Sequence, residues 1–113
     1  MDKKEILLAL PPCVRDLMKI TRGWLVGKAV INITKGATPK DYDIFVPDRE
    51  KFHEIIGFLK RRYDITFNNF GGLKFTMEGY EIDIWSQELS DFLMKTPYCS
   101  YVCSYKHVLK VIE

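Results

Sequence analysis

The sequence predicts an α+β fold: a small mixed β-sheet with helices packed mainly on one side. Three observations predict it. Helical and strand periodicities follow one another in mixed order, helix, strand, helix, strand, helix, three strands, helices. Two short segments, 41–46 (DYDIFV) and 80–85 (YEIDIW), alternate acidic and apolar residues with the period of a strand. And 113 residues at 47% hydrophobic content can bury one core but no second domain of ordinary size. One domain over 1–113 is expected, with 87–113 as a helical C-terminal part.

Residues 1–10 read as a ragged lead-in. Pro12 suits the first turn of a helix, and Val14, Leu17 and Met18 mark its apolar stripe to about Ile20. Thr21-Arg22-Gly23 breaks it. Trp24-Leu25-Val26 is apolar on both faces and reads as a central strand. Ala29 to Lys35 reads as a short helix despite three β-branched residues, and Gly36 ends it. Pro39 holds the loop before the acidic strand 41–46 extended.

Asp48 is placed to cap a helix in which Phe52, Ile55, Ile56 and Leu59 recur at helical spacing and Lys60-Arg61-Arg62 suits the C-terminus. Tyr63–Phe70, Leu73–Met77 and Tyr80–Trp85 then form an antiparallel meander through turns at Gly71-Gly72 and Glu78-Gly79. Asp91–Met94 lies in a helix ending near Pro97, and Tyr98 to Val111 is expected as a second helix.

Composition narrows the function only coarsely. The net charge is +2, and residues 1–40 carry eight Lys or Arg against three acids, so the basic surplus precedes the aspartates. Three cysteines close no disulfide framework and point to a reducing, cytoplasmic setting. No apolar run approaches membrane-spanning length, and residues 6–10 are too short for a signal sequence, so no membrane partner is expected.

The chemistry centres on Asp41 and Asp43. Residues i and i+2 of a strand share a face, so both carboxylates leave one side while Tyr42 and Ile44 leave the other. Like charges on one face repel, and a divalent metal between them relieves the repulsion. Asp83 on the second acidic strand would complete a set of three. Glu81 has the same parity and is its rival; Asp83 is preferred because Ile82 and Ile84 flank it.

Asp41, Asp43 and Asp83 are thus the candidate catalytic and metal-binding residues, and Mg²⁺ or Mn²⁺ the cofactor. Gly27 and Lys28 open a helix after the first strand, where backbone N–H groups suit phosphate. One ion on Asp41 and Asp43 would bridge the phosphates of a nucleoside triphosphate. A second, shared with Asp83, would lower the pKa of an attacking hydroxyl; alternatively Asp83 acts as general base. Asn68 and Asn69 are placed to reach ribose or phosphate, although turn chemistry accounts for them equally well. Cys99, Cys103 and His107 would share one face of a helix, a spacing open to zinc or to plain packing against the sheet.

Residues 25–46, LVGKAVINITKGATPKDYDIFV, resemble the head of the DNA polymerase β-type nucleotidyltransferases, in the variant found in tRNA CCA-adding and poly(A) polymerases. The resemblance lies in an apolar strand, a glycine pair, a helix and Asp-x-Asp on the next strand, with a third Asp later. Residues 70–75 and 81–85 resemble the third-acid region of small relatives. The resemblance covers roughly residues 10 to 86 and implies the fold, Mg²⁺, and Asp41, Asp43 and Asp83 as ligands. Two positions depart from the pattern. Gly27-Lys28 stands where the family has Gly-Gly or Gly-Ser, and Ile31-Asn32 where the tRNA class has Arg-Asp.

The expected function is metal-dependent transfer of a nucleoside monophosphate to a hydroxyl of a protein, a small molecule or an RNA end; RNA is allowed but not implied. The alternative is a catalytically degenerate nucleotide-binding or toxin-neutralising module of the same fold. A homo-oligomer or a small helical partner protein would fit the Tyr98–Val111 segment.

Overall fold

A computed structural model describes residues 3–68, 71–95, 101–104 and 108–110. The first turns are more ordered than a lead-in. α1 (Lys3–Ala9) buries Ile6, and Leu10 follows it into the core. α2 (Pro12–Thr21) starts on its proline and buries Val14, Leu17, Met18 and Thr21. It stops at Arg22, a left-handed residue with φ 56° whose N–H donates to the Met18 carbonyl.

β1 (Trp24–Val26) is buried throughout and leads through Gly27 into α3 (Lys28–Thr34). The acidic strand is β2 (Asp41–Val46). Tyr42, wholly buried, donates its hydroxyl to the Pro39 carbonyl at 3.1 Å and so ties down the preceding loop. α4 (Arg49–Arg62) is capped as expected, Lys51 donating its backbone N–H to the Asp48 carboxylate at 3.1 Å.

Of the strand expected over Tyr63–Phe70, the described residues form β3 only at Thr66–Phe67; residues 69 and 70 lie outside them. Tyr63 still belongs to the end of α4, donating to the Leu59 carbonyl, and Asn68 already turns the chain. β4 (Leu73–Met77) and β5 (Tyr80–Ser86) are joined at Glu78 and Gly79, with φ 50° and 85°. Two successive positive φ values make the tight hairpin turn that matches strand twist, and this turn fixes the register of β5.

α5 (Leu89–Lys95) follows. Instead of a helix over Tyr98–Val111, the chain then makes β6 (Tyr101–Ser104) and β7 (Val108–Lys110). The aromatic and β-branched residues there favour a strand, and β1 offers an edge, which β6 takes up antiparallel. Cys103 is buried on that strand, so the helical face needed to align it with Cys99 and His107 does not exist. Cys99 and His107 themselves lie outside the described residues.

Among the described residues the strands form one mixed sheet in the order β3-β4-β5-β2-β1-β6-β7. Only β2 and β5 pair parallel; the other neighbours are antiparallel. One face packs Leu25, Tyr42, Ile44, Val46, Phe75, Ile82 and Ile84 under α1 to α4. The other face carries a smaller cluster, Trp24, Val26, Phe45 and Phe92, with Trp85 and Leu89. The Phe45 and Phe92 rings stack at 4.6 Å, which docks α5 there. Helices therefore lie mainly on one side, as expected, with α5 alone among the described helices on the other. No helix among the described residues is long and apolar enough to cross a membrane.

Candidate active site

Strand parity builds the site. On β2, Tyr42, Ile44 and Val46 point into the helical layer, so Asp41, Asp43 and Phe45 point away from it. On β5, Ile82 and Ile84 point in, so Glu81, Asp83 and Trp85 point away. The parallel register pairs Asp41 with Glu81 and Asp43 with Asp83. Four carboxyl groups thus stand in a two-by-two array on the face opposite α1 to α4. Further along the same strands that face turns apolar and is covered by α5.

The array lines a cleft of about 490 Å³ with Gly27, Lys28, Asn32, Lys40 and Lys74. Gly27 has φ 76° and ψ −153°, a region that residues with a Cβ essentially do not enter. A Cβ built there would also stand 3.1 Å from Asp43 Oδ2. The glycine therefore lets the backbone turn beside the carboxylate at close range.

The electrostatics follow from the crowding. The Asp43 carboxyl is raised above its ordinary value, first by burial, then by the charges of Asp83 and Asp41 and a hydrogen bond with Asp83; the Lys74 ammonium opposes the shift. Glu81, fully exposed, is raised first by a hydrogen bond with Asp41 and then by the Asp41 charge, again opposed by Lys74. Each acid of β2 thus faces an acid of β5 across the register, and a proton or a cation between them would relieve the repulsion.

A hard divalent cation fits this donor set, since carboxylate oxygens are in surplus over nearby ammonium groups on a face open to the cleft. Among the described residues, no three His, Cys, Asp or Glu side chains are arranged as they stand to hold an ion. Ligation would relieve the mutual repulsion of the paired acids.

Of the residues picked from sequence, Asp41, Asp43, Asp83, Gly27 and Lys28 come together. Asn68 does not line the cleft. Its Oδ1 accepts from the Gly72 N–H at 2.8 Å, which is turn chemistry. Asn69 lies outside the described residues. Glu81, weighed as a rival to Asp83, stands beside it, because residues of one parity on one strand share the face. Sequence reading missed Lys74, whose parity signal was present: it alternates with the buried Leu73, Phe75 and Met77. Trp85 packs against Phe45 and donates its indole N–H to Gln87 at 2.9 Å.

No protein-family model and no curated protein sequence matches the chain. Solved structures do. A Thermotoga maritima CCA-adding enzyme complexed with tRNA is similar at 20% identity and a TM-score of 0.58, over 76% of this chain and 24% of that one. A CCA-adding enzyme with CTP is similar at 22% identity and a TM-score of 0.61, over 85% and 26%. A tRNA-processing enzyme complex is similar at 16% identity and a TM-score of 0.66, over 83% and 31%. The chain spans a quarter to a third of the length of these proteins. The fold is therefore one they share, in line with the resemblance read from residues 25–46 and from Asp83.

Proposed function

We propose that this chain transfers a nucleoside monophosphate from a nucleoside triphosphate to a hydroxyl acceptor, with a divalent cation bound by Asp41, Asp43 and Asp83. The observation that carries the proposal is the register of β2 on β5, which lines Asp41 and Asp43 up with Glu81 and Asp83 beside the Gly27 turn. Similar structures hold ATP and CTP, which supports a nucleotide in this cleft. Its volume falls within the range of small-molecule sites.

Magnesium or manganese, when bound, would neutralise phosphate charge and make the acceptor hydroxyl more acidic. The chain's own residues supply the rest. Gly27 allows phosphate to approach the backbone, and Lys28, exposed at the cleft edge, offers its ammonium. Lys40 does the same beside Asp41. Asp83, half-buried, would join the ion or, alternatively, take the acceptor proton as general base. The acceptor oxygen bonds to the α-phosphorus, the bond from that phosphorus to the bridging oxygen breaks, and pyrophosphate leaves with the electron pair. The acceptor is a protein, a small molecule or an RNA end.

A second reading is a nucleotide-binding or toxin-neutralising partner module without turnover. The observation favouring it is Ile31, half-buried and off the cleft lining, where the resembled class has an arginine. Titration with ATP, GTP, CTP and UTP, with and without Mg²⁺, tests the proposal. The active reading expects metal-dependent binding that Asp43→Asn abolishes, together with pyrophosphate release when acceptor is present. Binding that needs no metal and ignores Asp43→Asn would sink it and leave the module.

A further inference from the structure

β4 contributes Lys74 to the acidic face. It is the register partner of Asp83, it points away from the layer that buries Leu73, Phe75 and Met77, and it lines the cleft. Lys28 lies on the far side of the array, beyond β2. Three inter-strand steps of about 4.8 Å, roughly 14 Å in all, separate the backbones of β4 and β1. Lys74 and Lys28 therefore line the cleft from elements on opposite sides of the two acidic strands, with Lys40 next to Asp41 in the chain. A cross-strand Lys–Asp pair on an exposed strand is ordinarily worth little. Lys74 is different in facing a group of acids, and its charge reaches Asp43 on β2 as well as Glu81 on its neighbouring strand.

We infer that Lys74 is a resident cation with two successive partners: the carboxylates while the cleft is empty, and a substrate phosphate once a divalent ion has taken the carboxylates. The ion and the ammonium compete for the same acids, so Lys74 holds metal affinity down until nucleotide arrives. The phosphates then lie across the array from Gly27-Lys28 to Lys74. Metal and nucleotide binding are thereby coupled. This inference rests on the transferase reading above.

The test compares wild type with Lys74→Ala and Lys74→Arg, in two titrations. One follows Mn²⁺ alone by electron paramagnetic resonance. The other follows a non-hydrolysable ATP analogue in saturating Mn²⁺ by calorimetry. Lys74→Ala is expected to bind Mn²⁺ tighter and the Mn²⁺-nucleotide weaker, each by about three- to tenfold, and Lys74→Arg to restore both. Opposite signs are the signature; a merely structural lysine moves neither. Two unchanged affinities, or two that move the same way, overturn the inference while leaving the transferase reading intact. A wild type that binds neither Mn²⁺ nor the analogue overturns both.

Discussion

Asp43 is the residue on which burial and like charge converge, and its titration has a definite sign. Its folded pKa is raised above the unfolded value near 3.8, so the native state keeps the proton to higher pH than the unfolded chain. Its favourable contribution is complete below about pH 4 and is lost as pH rises through the raised value. At neutral pH, without metal, the group opposes folding. Asp43→Asn should therefore raise metal-free stability at pH 7 and raise it less at pH 4. Urea unfolding at the two pH values checks this; a variant less stable at pH 7 would refute it. Gly27→Ala places a side chain where φ is 76° and Asp43 is close. A loss of about 1–3 kcal/mol is expected, with weaker nucleotide binding in the protein that still folds.

At the scale of elements, β2, β4, β5 and α4 were legible because each carries its own signal: strict alternation, or a cap followed by a helical stripe. Asp48→Ala should remove the α4 cap and cost about 1 kcal/mol in thermal or urea unfolding, without changing metal affinity. What could not be read was set by distant partners. Cys103 becomes a strand residue through pairing with β1, far away in sequence. The spacing of Cys99, Cys103 and His107 suits a helix equally well. Asp83 is preferred over Glu81 on its flanking isoleucines, yet parity gives both the same face, and only the parallel pairing shows that each meets an acid of β2. Lys74 escaped notice because its parity puts it on the outward face but does not say which residue it meets there until the pairing of β4 with β5 is known.

The molecule as a whole separates its tasks by face. The helical layer and the inward parity of the strands provide the main core, while the acids occupy one half of the opposite face and α5 covers the other half. Mn²⁺ that binds only the native state should therefore raise stability by about 2.7 kcal/mol at a hundred times its dissociation constant. Asp43→Asn should remove that increment while leaving the fold intact, as far-ultraviolet circular dichroism would show. An equal Mn²⁺ effect in the variant would place the ion elsewhere.

The pleat of β2 and β5 has one further consequence. Because alternate positions answer to different neighbours, inward residues can drift through any apolar set that fills the space, and the outward acids do not register the change. Such an architecture holds its shape under very different letters, and a chain sharing only about a fifth of its residues with its look-alikes can still superimpose on them.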